Sequence, residues 1–183
     1  MHDCEVEWLS SVGLGLDYNA LRLDRTTQAW IDAGARLQNE VSNQLDGGAI
    51  AVEHIGSSAV LNLLAKPIVD IAVGLHDDCE FSSARDRLEV AGWIYRGDAG
   101  ENGGHVFVLE TKPQHRVAHL HIVEHDGKQW HDYMRLRDLL RRSSTARDQY
   151  EQAKQQLAED VRGNRVAYTD GKSNIVSLLI NEA

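Results

Sequence analysis

The amino-acid sequence predicts an α+β fold, in which a mixed sheet of about five strands is covered by helices on one side and followed by a C-terminal helical group. An amphipathic helix stands near the start of the chain, and short segments rich in Val and Ile follow it between Gly- and Pro-containing turns. The last third of the chain shows only the three- and four-residue spacing of helices. This order of elements indicates helices packed on a sheet.

The first predicted helix covers residues 26–45, where apolar side chains recur every three or four positions. Thr26 or Thr27 is available to cap its start, and a Gly-Gly pair follows its end. Segments rich in β-branched residues predict strands at 49–55, 67–75, 93–96, 105–110 and 117–123. Further helices are predicted at 80–91, 130–142, 145–161 and 168–180.

The length and composition fit one domain, 1–183, with an N-terminal extension at 1–16 and C-terminal helices at 128–183. No apolar run approaches the roughly 20 residues that span a bilayer, and the acidic start of the chain does not resemble a secretory signal. We therefore expect a cytoplasmic protein that makes no membrane contact. Cys4 and Cys79 are too few and too far apart for a disulfide framework or a zinc site, so we expect them to be reduced.

The net charge of −9 argues against broad binding to DNA or RNA. Such binding depends on a basic surface that displaces counterions from many phosphates. A small anionic ligand remains compatible with this charge, because one phosphate group needs only a few local donors.

Polar side chains interrupt the apolar pattern of two predicted strands. In 67–75, alternation places three branched apolar residues on one face and Asp70 on the other. In 117–123, it places His119 and His121 on the face opposite the apolar residues. If both apolar sets face the core, Asp70 and the two histidines share one open face. A strand Asp needs a metal, a basic side chain or backbone donors as a partner, whereas histidines in this pattern are also typical of solvent-facing positions.

A glycine-serine turn follows the first predicted strand. Gly56 permits a tight turn, and the hydroxyl and N–H groups of Ser57 and Ser58 could surround a phosphate oxygen. Taken alone, the same three residues are more typical of an ordinary turn. Lys66 immediately precedes the next predicted strand and Asp70 lies on it, and their nearness favours a phosphate-binding turn beside a metal ligand.

Five segments of the chain resemble the hallmark motifs of the GrpB-like family (UPF0157). In chain order they are VEHIGSSAV at 52–60, LAKPIVDI at 64–71, HLHIV at 119–123, LRDLLR at 136–141 and RVAYTDGK at 165–172. The resemblance extends over nearly the whole chain, from about residue 17 to residue 180. It implies the nucleotidyltransferase fold, in which a Gly-Ser turn grips a triphosphate and strand carboxylates hold a divalent metal.

The resemblance also implies roles for individual residues. Asp70 would hold Mg²⁺ or Mn²⁺, and His119 or His121 would act as a general base or a further metal ligand. The candidates for phosphate contacts are Gly56, Ser57, Ser58, Lys66, Arg137, Arg165 and Lys172. The superfamily usually carries a second carboxylate two positions after the first, but this chain has Ala72 there. A site with one carboxylate could hold magnesium through water and substrate phosphates, or could recruit His121 or Glu110.

Two functions remain open. The first is an enzyme that binds a nucleoside triphosphate with a divalent metal and transfers a nucleotidyl group to a small-molecule acceptor, or activates an acid for ligation. The second is a non-catalytic module that binds a nucleotide or a phosphorylated metabolite. The concentration of Asp, His, Ser and Lys favours the first, and Ala72 favours the second. For Arg137, an ion pair between helices is the alternative to a ligand contact.

Overall fold

The structure, a computed structural model, describes residues 6–77, 80–100, 104–160, 171 and 174–180. Its helices are α1 (Glu7–Ser11), α2 (Gln28–Leu45), α3 (Phe81–Val90), α4 (Lys128–Arg142) and α5 (Ser144–Asp160). Its strands are β1 (Leu16–Asp17), β2 (Asp24–Arg25), β3 (Ala51–Ile55), β4 (Leu64–Ala65), β5 (Val69–Leu75), β6 (Ile94–Asp98), β7 (His105–Lys112) and β8 (His115–Glu124). Residues 174–180 are also helical, so the part of the helix predicted at 168–180 that the structure describes is confirmed.

A six-stranded mixed sheet forms the centre of the molecule. Five strands lie in the order β3-β5-β8-β7-β6, and β1 pairs with β8. The neighbours β5 and β8 run parallel, whereas the other pairs are antiparallel. The five longer strands confirm the predicted α+β sheet. Strands β1, β2 and β4 were not predicted, because each has only two residues and shows no alternation.

Helix α2 follows the predicted pattern closely. The Thr27 side chain accepts a hydrogen bond from the Trp30 N–H at its start, and Asp46 in the left-handed conformation ends it. Its buried face packs on β3 and β5 together with α3. The side chains of β5 and β8 that face these helices are those predicted from alternation, namely Val69, Ile71, Val73, Ala118, Leu120 and Ile122.

Helix α4 lies on the opposite face of the sheet, so the expectation of helices on one side only was wrong. Trp130 packs with Ile55, Ala72 and Val123, and Tyr133 lies beside this cluster. Ile55, Ala72 and Val123 belong to β3, β5 and β8 and lie on the same face of the sheet as the polar side chains. The polar face is therefore a partly covered surface rather than an open one.

A second apolar cluster holds the segment after β3 between the C-terminal helices. Val60 and Leu63 pack with Leu136 and Leu140 of α4 and with Tyr150 of α5. The turn at Gly56 is consequently attached to α4 and α5 as well as to the sheet. Within the described part of the chain, no helix combines the length and apolar character needed to cross a membrane.

Candidate functional site

The turn at Gly56 brings the backbone against the Asp70 carboxylate. Gly56 follows the last residue of β3. Its φ of 69° and ψ of −164° form a conformation that only glycine adopts readily. Ile55 and Asp70 are directly paired between β3 and β5. A Cβ atom at Gly56 would lie 2.8 Å from Asp70 Oδ2, so the glycine leaves room for this oxygen.

We expect Gly56→Ala to lower the free energy of unfolding by about 2 kcal/mol, because it adds backbone strain to a contact with Asp70. Gly92→Ala is the control, since Gly92 also has a positive φ but has no atom within 4 Å of an added Cβ. Urea denaturation of both variants measures the difference. Equal losses would show that the contact with Asp70 contributes nothing beyond backbone strain.

Asp70 and His119 form a pair across neighbouring strands. The two residues are aligned in the parallel ladder of β5 and β8, and His119 Nδ1 lies 3.2 Å from Asp70 Oδ1. Their side chains are 25% and 21% exposed, so solvent or a small ligand can reach both. His121 lies one pair further along the same face, opposite Ala72, and its ring centroid is 5.6 Å from that of Tyr133. Asp70, His119 and His121 thus share one face of two adjacent strands.

The hydroxyl groups of the turn are directed towards the protein. Ser58 Oγ accepts a hydrogen bond from the Asp70 N–H at 3.2 Å and lies 3.0 Å from His54 Nε2. Ser57 Oγ lies 3.3 Å from the Tyr150 hydroxyl and accepts from Lys154 Nζ at 3.2 Å. Both serines are buried. Within the short helical turn at Ser57–Ala59, the Ala59 N–H donates to the Gly56 carbonyl at 3.3 Å. The Ser57 and Ser58 N–H groups open the turn and are therefore the ones that could bind an anion.

His54 is a buried, neutral side chain that holds the turn through its contact with Ser58. Burial lowers the pKa of His54 to about 4, with a raising contribution from Asp70 and lowering contributions from Arg141 and Arg137. The ring also fills the space above Gly34, where an added Cβ would clash with it. His54 therefore lies between the Asp70 carboxylate and the two arginines of α4.

Arg137 reaches from α4 to β3. Its Nη1 donates to Glu53 Oε2 at 2.7 Å and to the His54 carbonyl at 3.3 Å, and its Nε donates to Asp138 at 2.8 Å. Burial alone would lower its pKa, but the bonds to Asp138 and Glu53 outweigh burial and raise it. The ion pair weighed as an alternative for Arg137 therefore exists, but it joins α4 to the sheet rather than two helices.

The other predicted basic residues occupy different places. Lys66 is half-buried between β4 and β5. Arg165 and Lys172 lie outside the described residues, as do Cys4 and Cys79.

Three charged residues near the turn were not predicted. Glu53 pairs with Ala72 across β3 and β5, Arg141 donates from Nε to the Ala59 carbonyl at 3.1 Å, and Lys154 is fully buried beside Ser57. Glu53 and Arg141 lie within two of the matched motifs, and their charge in those segments was the available signal. Lys154 gave none, because it stands on an ordinary helical face.

The donor set does not fit a resident two-metal centre. Ala72 is fully buried, with Glu53 on one side and His121 on the other. Across the described residues, no three His, Cys, Asp or Glu side chains are grouped closely enough to hold a metal ion. A single carboxylate such as Asp70 could take part in a Mg²⁺ site only where phosphate oxygens and water fill the other positions.

Comparison with known protein sequences finds a consistent family. The model of the family described as GrpB protein matches residues 20–182. The glutamate-rich protein GrpB of Alkalihalophilus pseudofirmus is 32% identical over 136 residues, which are 72% of this chain and 77% of that protein. A UPF0157 protein of Streptomyces coelicolor is 32% identical over 154 residues, which are 84% of this chain and 79% of its own.

Two solved structures resemble this chain in fold. The conserved protein GrpB from Enterococcus faecalis has a TM-score of 0.74 and 25% identity, and the match covers 88% of this chain and 98% of that one. Cid1, solved in complex with its short product ApU, has a TM-score of 0.52 and 9% identity, over 88% of this chain and 47% of Cid1. The fold is therefore nucleotidyltransferase-like, as the sequence motifs predicted.

Proposed function

We propose that this chain, which belongs to the GrpB family, binds a nucleoside triphosphate as its Mg²⁺ or Mn²⁺ complex on the polar face of the sheet. The observation that carries the proposal is the position of Asp70. One carboxylate oxygen contacts His119, and the other lies beside the Gly56 backbone at the start of a helical turn. A metal ligand and a set of N–H donors for phosphate are thus adjacent.

The neighbouring residues have separate roles in this proposal. His119 holds the Asp70 carboxylate in one orientation, as partners of metal-binding carboxylates commonly do. Ser58 and His54 hold the Asp70 backbone, and Ser57 joins the turn to α5. Lys66 and Arg137 contribute positive charge beside the phosphates.

Nucleotidyl transfer is the reaction that we propose for this site. An acceptor oxygen would attack the α-phosphorus, pyrophosphate would leave, and His121 would take the acceptor's proton. His121 suits this role because it is half-buried, lies on the face that carries Asp70, and has its ring fixed beside Tyr133.

Binding without transfer is the second candidate, and the burial of Ala72 favours it. The position where a second carboxylate would stand lies under Trp130, so a single carboxylate must serve the metal. Pyrophosphate release from a magnesium nucleotide in the presence of small hydroxyl or carboxyl acceptors distinguishes the two candidates.

We expect Asp70→Asn to weaken binding of magnesium ATP at least about tenfold while the melting temperature without ligand changes little. The substitution keeps the shape of the side chain and removes the charge that the metal needs. Asp126→Asn is a matched control, because Asp126 also lies 3.2 Å from a histidine, His125, but stands on an exposed turn away from the site. Isothermal titration with and without Mg²⁺ measures the effect.

Unchanged affinity of Asp70→Asn for magnesium ATP would contradict the proposal. A large fall in its melting temperature without ligand would assign Asp70 to a structural pair with His119 instead. Equal losses in Asp70→Asn and Asp126→Asn would indicate a general charge effect.

A further inference from the structure

Helix α4 places two arginines, one turn apart, beside the turn at Gly56. Arg137 is held by two carboxylates, those of Glu53 and Asp138. Arg141 is held differently, since its Nε donates to the Ala59 carbonyl at 3.1 Å and its Nη1 lies 4.0 Å from Asp138 Oδ1, which exceeds hydrogen-bond length. Among the described residues, no acceptor lies within hydrogen-bond distance of its two terminal nitrogens.

Arg141 lies beside the turn among charges of both signs, with Arg137 on one hand and Asp138 and Glu53 on the other. Burial and the neighbouring Arg137 lower the pKa of Arg141, although Asp138 and Glu53 partly offset this effect. The charges of both arginines also act on His54, which lies directly below the turn. Because the whole chain has a net charge of −9, an anion beside the turn would depend on local donors such as Arg141 rather than on the general surface charge.

We infer that Arg141 is an anion-binding residue that takes the terminal phosphate groups of a di- or triphosphate lying across the Ser57–Ala59 turn. The bond from Nε to Ala59 fixes the guanidinium plane, and the terminal nitrogens are left to bind two phosphate oxygens together. The side chain is 45% exposed, so an anion can reach it without displacing a protein group. The inference rests on the proposed function and assigns the phosphate end of the same ligand.

Arg142 provides a matched control. It is the next residue on α4 and carries the same charge, but it lines a groove of 490 Å³ whose lining includes His131, Arg135 and Asp138 and does not include Arg141. Arg142 is exposed, so its substitution removes one positive charge, as the Arg141 substitution does, but leaves the contacts of the turn unchanged.

The test is isothermal titration with inorganic tripolyphosphate in a buffer with EDTA, which separates anion binding from the metal. We expect Arg141→Gln to weaken binding of tripolyphosphate about tenfold or more, because hydrogen bonds between the guanidinium and the phosphate are lost. The affinity of Arg142→Gln should stay within about twofold of that of the unsubstituted protein. If Arg141→Gln does not fold, Arg141→Lys replaces it, and a loss of about threefold or more is expected because the planar fork is absent.

Three results would overturn the inference: no binding of tripolyphosphate to the unsubstituted protein, equal affinity after the Arg141 substitution, or equal losses in the Arg141 and Arg142 variants. Its failure is distinguishable from failure of the proposed function. Magnesium ATP that binds in an Asp70-dependent manner without any effect of Arg141 would contradict only the inference. Arg141-dependent binding of tripolyphosphate with no effect of Asp70→Asn on magnesium ATP would contradict only the proposed function.

Discussion

Ala72→Asp is expected to lower the free energy of unfolding by about 3–5 kcal/mol near neutral pH. Ala72 is fully buried between the sheet and α4, where Trp130 packs against it. A carboxylate there would lose its hydration by water. It would also lie directly beside Glu53, its cross-strand partner on the same face. Burial and like charge therefore both oppose the substitution. We therefore expect that a second carboxylate at this position, which the family resemblance implies, would lower the stability of the protein.

Ala72→Asn is the control for this prediction, because it adds a side chain of the same size without the charge. Urea denaturation of both variants at several pH values separates crowding from charge. A buried carboxyl group has a raised pKa in the folded state, so the deficit of Ala72→Asp relative to Ala72→Asn should shrink as the pH falls. An Ala72→Asp protein as stable as the unsubstituted one would show that α4 moves aside to admit solvent.

The strands that carry the site could be predicted from the sequence, because each is long enough to show alternation. The pattern of 67–75 separated Val69 and Ile71 from Asp70, and the structure places these residues on opposite faces. Alternation also predicted that Asp70 shares a face with His119 and His121, with His121 in its pocket. The register of β5 against β8, which alternation does not determine, pairs Asp70 with His119 instead. Hydrophobic periodicity therefore accounts for the sheet and for the polar row on it.

The partners of the turn could not be predicted, since they come from residues distant in the chain. Tyr150 and Lys154 reach Ser57 from α5, about a hundred positions later in the sequence. Glu53 stood in a motif, but only the register of β3 against β5 shows that it flanks Ala72. The covering of the polar face by α4 also depends on how the last helices fold back, which periodicity does not determine.

These long-range contacts change the interpretation of the Gly-Ser-Ser motif. The sequence favoured phosphate binding by the two hydroxyls, yet each contacts a buried protein partner, His54 for Ser58 and Tyr150 for Ser57. The serines hold the turn and the Asp70 backbone in position, so the N–H groups and the nearby cations are the groups left for an anion. A motif residue can thus serve a ligand by holding another group in place.

The stability of the protein should fall as the pH falls from neutral towards 4, and His54 should account for about 3 kcal/mol of this loss. Burial lowers the pKa of His54 from 6.5 to about 4, whereas the unfolded chain binds the proton near the ordinary value. Between these two values the unfolded state therefore binds more protons than the folded state, and acidification favours unfolding. About two thirds of the effect should be visible by pH 5.

Urea denaturation at pH 7, 6 and 5 of the unsubstituted protein and of His54→Gln measures this contribution. Glutamine can bond to Ser58 and does not titrate, so His54→Gln should be less stable at neutral pH but should lose about 2 kcal/mol less than the unsubstituted protein between pH 7 and pH 5. His131→Gln removes an exposed histidine of α4 and should retain the full dependence. If the free energy of unfolding depends on pH in the same way in the unsubstituted protein and in His54→Gln, His54 is not buried and neutral. That result would contradict the role of neutral His54 in holding the turn and Ser58 next to Asp70.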